Sequence, residues 1–84
     1  MKKVNLSNEE KIEAATFRKL RTHLLKRTDI QNIDIMNTAD FCRNCLSRWY
    51  MESALELNVK ITKEEAREIF YDMPYEEWKK KYQK

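Results

Sequence analysis

Phe17, Leu20 and Leu24 fall on one face of a helix that advances about 100° per residue, with Lys11, Arg18, Lys19 and Lys26 on the other side. Ser7-Asn8-Glu9-Glu10 precedes them and matches a capping box, in which a hydroxyl and a carboxylate three residues apart satisfy the first free amides of a helix. The pattern predicts an amphipathic helix from about Ser7 to Arg27. From Thr28 to Asn37 the chain is rich in Asp and Asn, with Ile30, Ile33, Ile35 and Met36 interspersed, and follows neither the helical nor the strand period. An ordered connector with room for one helical turn is expected there. The helical period returns from about Thr38 to Leu57, placing Cys42, Cys45, Leu46, Trp49, Tyr50, Ser53 and Leu57 on one face and Asp40, Arg43, Asn44, Ser47 and Arg48 on the other.

Asn58 stands where a left-handed residue ends a helix. Thr62-Lys63-Glu64-Glu65 is a second capping box, opening a short helix that carries Ala66, Ile69 and Phe70 to about Tyr71. Pro74 then opens a last helix bearing Tyr75, Trp78 and Tyr82. The expected fold is all-α: a compact bundle of two longer helices covered by two short C-terminal ones. Its predicted core is Phe17, Leu20, Leu24, Leu46, Trp49, Ile69 and Trp78. Residues 7–83 would form a single helical domain behind a disordered N-terminus at 1–6.

Composition supports helices over sheets. Glycine is absent, where an average chain of this length has about 6, and there is one proline, so tight hairpins lack their preferred residues. No apolar run exceeds three residues, which argues against a membrane span or a secretory signal and predicts a cytoplasmic protein. The 84 residues carry 17 basic and 14 acidic side chains, a net charge of +3. The excess lies in the first 28 residues and is too mild, with too few interleaved aromatics, to make nucleic acid the expected partner. A core this small is marginal alone, so a protein partner or a homodimer is expected to cover leftover aromatic surface.

Several long motifs carry a family resemblance. Arg27-Thr28-Asp29-Ile30-Gln31-Asn32-Ile33-Asp34-Ile35-Met36-Asn37, Phe41-Cys42-Arg43-Asn44-Cys45-Leu46, Trp49-Tyr50, Ala66-Arg67-Glu68 and Met73-Pro74-Tyr75-Glu76-Glu77-Trp78-Lys79 resemble the small bacterial family catalogued as domain of unknown function 1244. The resemblance runs from about Phe17 to Gln83. It implies a compact all-helical protein and brings no activity with it. The chain departs from the family pattern at Asp40, Asn58 and Asp72, where the pattern has glycine. Asn58 and Asp72 suit helix ends, whereas Asp40 adds a carboxylate two residues before Cys42.

The candidate chemistry centres on Cys42-Arg43-Asn44-Cys45. This spacing suits a metal chelate, a dithiol redox pair or two small apolar packing residues beside Trp49. Zinc takes four ligands; Cys42, Cys45 and His23 supply three, with Asp34 or Asp40 as a fourth, and iron is the other metal to weigh. Inside a regular helix the two Cβ atoms stand about 5 to 6 Å apart, whereas a disulfide wants about 3.5 to 4.5 Å, so closure requires the helix to begin at or near Phe41, or to be distorted. Both thiols are therefore expected to be reduced. His23 reads more simply as a partly exposed helix residue. Arg43 and Asn44 could hold an anion but more often pair with acids such as Asp34 or Asp40. No catalytic triad, phosphate loop or metalloprotease motif is present, so a non-enzymatic binding or self-associating module is expected, with no cofactor. A metal- or thiol-dependent site at Cys42 and Cys45 is the alternative.

Overall fold

The structure is a computed structural model that describes residues 6–84. The expected disordered segment at 1–6 lies outside the described residues except for Leu6, which belongs to the first helix. Five helices follow in order: α1 Leu6–Lys26, α2 Asn32–Ala39, α3 Arg43–Glu56, α4 Lys63–Tyr71 and α5 Tyr75–Tyr82. Among the described residues there is no strand. Ser7 lies one residue inside α1, so it does not cap that helix.

The Thr62 box forms in full: the Glu65 amide donates to Thr62 Oγ1 at 3.1 Å, and Glu65 Oε1 accepts from the Thr62 amide at 2.8 Å. The Thr62 amide, with the Thr62 side chain, holds the Glu65 carboxyl below its ordinary value. A less familiar box starts α2, where Asp34 Oδ2 accepts from the Gln31 amide at 3.0 Å. That contact makes a two-turn helix of the expected connector. Periodicity misses it because α2 buries Ile35 while Ile33 remains 63% exposed.

The chain reaches left-handed backbone at Asp40, Asn58 and Asp72, with φ of 62°, 64° and 60°. These are the three positions where the resemblance led glycine to be expected, the residue with no Cβ penalty in that conformation. Asn58 completes a Schellman turn, its amide donating to Leu55 O at 2.9 Å and the Val59 amide to Ala54 O at 2.8 Å. Asp40 caps α2, its backbone amide donating a hydrogen bond to Met36 O at 3.0 Å. It is a third instance of the same backbone requirement, contrary to the expectation that it would lie on the polar face of a long helix.

Because α2 ends at this turn, α3 begins at Arg43 and not at Thr38. Its inward face is then Arg43, Leu46 and Ser47, correcting the face predicted through Cys42, Cys45 and Trp49. Ser47 and Ala66 are both buried, and α3 packs most extensively on α4, where two small side chains allow close approach. The core is Leu24, Ile35, Leu46, Phe70, Tyr71 and Trp78, with Phe17 packed against it between Tyr50 and Phe70. Full burial of an aromatic such as Phe70 contributes about 1.5 to 3 kcal/mol. Leu20, Trp49 and Ile69, predicted as core, are 39, 43 and 39% exposed. The molecule measures 48 × 27 × 20 Å, more elongated than the compact bundle expected. Residues Ser7 to Glu13 of α1 are exposed throughout.

Candidate functional site

Arg43 is 1% exposed, the largest fully buried side chain, although the sequence placed it on a solvated face. Its guanidinium meets no carboxylate. Nε and Nη2 donate to Leu24 O at 3.2 and 2.9 Å, Nη2 to Arg27 O at 2.7 Å, and Nη1 to Ile30 O at 2.9 Å and Asn32 Oδ1 at 3.1 Å. An arginine has five N–H donors, and five bonds account for them. Three of the four acceptors are backbone carbonyls at and just beyond the C-terminus of α1, where the helix dipole is negative and favours a cation. Trp78 covers the group, its ring centroid 5.4 Å from Cζ. Burial pulls the Arg43 pKa down from the ordinary arginine value, opposed by Tyr71, Cys42 and Asp29. The residue is a keystone tying α1, α2 and α3 together. With no donor left, it does not serve as the anion site its position between two cysteines suggested.

Asn32 and Asn44 extend the network. Asn32 Oδ1 also accepts from the Arg43 amide at 3.4 Å, and Asn32 Nδ2 donates to the Tyr71 hydroxyl at 3.3 Å. Tyr71 donates in turn to Asn44 Oδ1 at 2.8 Å, while Asn44 Nδ2 donates to the Tyr75 hydroxyl at 3.0 Å. Tyr71 is 1% exposed, and that burial drives its pKa far above the usual phenol range. The order Arg43–Asn32–Tyr71–Asn44–Tyr75 joins the end of α1, the starts of α2 and α3, the end of α4 and the start of α5, and leaves out the turn between α3 and α4. Asn32 and Tyr71 were not among the expected site residues, and Tyr75 was expected only as an aromatic of the last helix; Asn32 and Tyr75 lie in the motif strings, whereas Tyr71 lies between two of them.

Above the network lies an open cleft of about 370 Å³ between α2 and α5, with Asn32, Cys42, Arg43, Asn44 and Tyr75 among its lining residues. One end is tied by Gln31, whose Nε2 donates to Tyr82 O at 2.9 Å and whose Oε1 accepts from the Lys84 amide at 3.2 Å.

Cys42 stands at the N-cap position of α3, without a side-chain capping bond, with extended backbone at φ −147° and ψ −179°. It therefore stands outside the regular helix, and the expected mid-helix separation does not apply. Its Sγ lies 3.6 Å from Cys45 Sγ, and both are free thiols. Burial raises the Cys42 pKa more than its hydrogen bonds lower it. Cys42 is buried and borders the first cleft. Cys45 is half-buried and faces a second cleft, of about 300 Å³, lined also by Arg48, Lys63 and Arg67.

The other predicted site residues lie apart from this pair. His23 is exposed on α1 beside Arg18, Lys19 and Lys26, a cationic setting that repels a metal ion. Among the described residues no group of three or more His, Cys, Asp or Glu side chains is arranged to hold a metal. Asp34 is engaged in the α2 box. Trp49 is exposed and packs on Phe41, ring centroids 6.2 Å apart, outside the polar network.

The network and both cysteines fall within residues 30–84, the segment that matches the family model described as a protein of unknown function, DUF1244. The chain belongs to the DUF1244 family. Its Phe-Cys-Arg-Asn-Cys-Leu motif thus has a physical reading: Arg43 and Asn44 hold the helices together, and Cys42 and Cys45 are left with reactive groups toward two clefts. No curated protein matches the chain. Among the described residues no helix is long and apolar enough to cross a membrane.

Proposed function

We propose that residues 7–83 act as one helical domain in the cytoplasm whose first role is binding, with a second copy of the chain as its first partner. The observation that carries this reading is the N-terminal part of α1. Ser7 to Glu13 are helical yet exposed along their whole length, with Ile12 at 55% exposure. A helix end this exposed is marginal in water, because helical stability in proteins comes mostly from tertiary packing. Beyond it, Leu20 lies one turn from Phe17, and Tyr50, 37% exposed, stacks on Phe17 from α3 with Trp49 beside it in sequence. A partner helix laid along α1 would cover both regions.

Sedimentation equilibrium at micromolar concentration tests this. A dimer that dissociates on Ile12→Glu or Trp49→Glu is expected, since a charge buried in an apolar interface disfavours association. A wild-type protein that remains monomeric, or a dimer indifferent to both substitutions, would refute the reading.

A further inference from the structure

We propose that Cys42 and Cys45 are a redox-active dithiol in which Cys45 is the attacking sulfur and Cys42 the resolving one, acting on small, negatively charged disulfides. This goes beyond the binding role, which needs neither thiol.

Three observations converge. The first is proximity. With Cys42 in extended backbone ahead of the first turn of α3, its side chain escapes helical i, i+3 geometry, and the sulfurs touch at 3.6 Å. Side-chain rotation has then to close only the remaining distance to a bond of about 2.05 Å. The backbone beneath is held by Arg43, whose amide and guanidinium are both anchored on Asn32, so the pair is presented by a fixed helix start.

The second is unequal access. Cys42 is 8% exposed, whereas Cys45 is half-buried and reaches the second cleft. In familiar dithiols at a helix start, the first cysteine is the low-pKa thiol at the helix N-terminus. Here the second one meets the solvent, so the order of attack is reversed.

The third is charge. The cleft before Cys45 is bordered by Arg48, Lys63 and Arg67 and by no carboxylate. Arg48 pairs weakly with Glu52 at 3.7 Å, and Arg67 stacks over the Tyr75 ring at 4.5 Å, while Lys63 forms no ion pair among the described residues. Such a border gathers an anionic disulfide toward Cys45.

The reaction balances without a metal. The Cys45 thiolate attacks one sulfur of a disulfide RSSR, forming the mixed disulfide Cys45–S–S–R and releasing RS⁻. Cys42 then loses its proton to solvent and attacks the Cys45 sulfur, forming the Cys42–Cys45 disulfide and releasing the second RS⁻. The protein loses two electrons and two protons, and RSSR is reduced to two RSH.

The test uses the full chain, reduced, desalted and mixed with oxidised glutathione, with intact mass followed in time. Wild type is expected to lose two hydrogens and retain no adduct. Cys42→Ser places a good capping residue at the N-cap and should accumulate one glutathione adduct on Cys45. Cys45→Ser should form an adduct at least about tenfold more slowly, because its remaining thiol is buried. Cystamine, a cationic disulfide, should react more slowly than oxidised glutathione with wild type, and Lys63→Glu should narrow that difference. Circular dichroism confirms that each variant is folded. Equal trapping in the two cysteine variants overturns the order of attack, and a stable wild-type adduct overturns the dithiol. No preference between the disulfides overturns the charged substrate class. Stoichiometric zinc or iron in untagged protein, lost from both cysteine variants, assigns the pair to metal and overturns the whole proposal.

Discussion

Arg43 closes on the carbonyl oxygen of Leu24 with two nitrogens, Nε at 3.2 Å and Nη2 at 2.9 Å, across 19 positions of sequence. The contact makes the start of α3 a cap for the end of α1. It also explains how a buried cation persists without an acid: carbonyl dipoles at a helix C-terminus supply the negative potential.

Replacing this group should be costly. Arg43→Met leaves several buried carbonyls without donors, each worth about 1 to 3 kcal/mol, so urea denaturation should show a loss of at least about 3 kcal/mol. Arg43→Lys keeps the charge but offers three donors from a point and not a planar fork, and should recover only part of that loss. A lysine variant as stable as wild type would show that charge alone suffices.

The Tyr71 hydroxyl bridges Asn32 and Asn44, so Tyr71→Phe leaves two polar groups unpaired at unchanged ring volume. A destabilisation of about 1 to 3 kcal/mol is expected. In a double-mutant cycle with Asn44→Ala the two losses should be non-additive, since both remove the same bond.

The same residue sets a pH limit. Burial raises the pKa of Tyr71 above its ordinary 10.0 and that of Cys42 above 9.0 in the folded protein. The folded state holds these protons more tightly than the unfolded chain, so its advantage is complete below the ordinary values. That advantage is lost as pH rises above about 9 to 10 toward the folded pKa values. Urea midpoints measured from pH 8 upward should decline across this range, and Tyr71→Phe should flatten the decline. An equal slope in wild type and variant would remove Tyr71 from the explanation.

On the acid side the sign reverses. The Glu65 carboxyl is held below its ordinary 4.5 by Thr62, so its contribution is present above about pH 4.5 and fades as pH falls through the lower folded value. Glu65→Gln, which can still accept from the Thr62 amide, should reduce the slope of stability against pH in this range. Unchanged acid denaturation would show that the box does not titrate with folding.

Asp40 and Asp72 occupy left-handed backbone that glycine enters without a Cβ penalty. Asp40→Gly and Asp72→Gly should each be neutral or stabilising by up to about 1 kcal/mol, and Asp40→Ala destabilising. For a chain of this size a stabilisation of 1 kcal/mol raises Tm by about 4 to 8 °C. A lower Tm for both glycine variants would mean that the aspartate side chains add more at these turns than the backbone strain removes.

Local patterns were sufficient wherever a few neighbouring residues decide the outcome. The all-helical class, the Thr62 box, the turn at Asn58 and the final aromatic helix are all legible this way, because capping hydrogen bonds and helical spacing act within four residues. The motif strings likewise identified the family. The function of those strings depended on contacts between distant segments. Arg43 reads as a surface residue by polarity, yet the free carbonyls at the end of α1 and beyond lie 13 to 19 positions away and draw it inward. The cysteines read as mid-helix because α2 is short, anchored by Ile35 and started by an unusual Gln31 and Asp34 box. Once Asp40 ends α2, Cys42 becomes the residue that starts α3. Sequence therefore determined which residues carry reactive groups, while tertiary structure decided which are consumed in holding the helices together and which face a cleft. A side chain's hydrogen-bonding capacity is local, whereas the partners that saturate it are supplied by the fold.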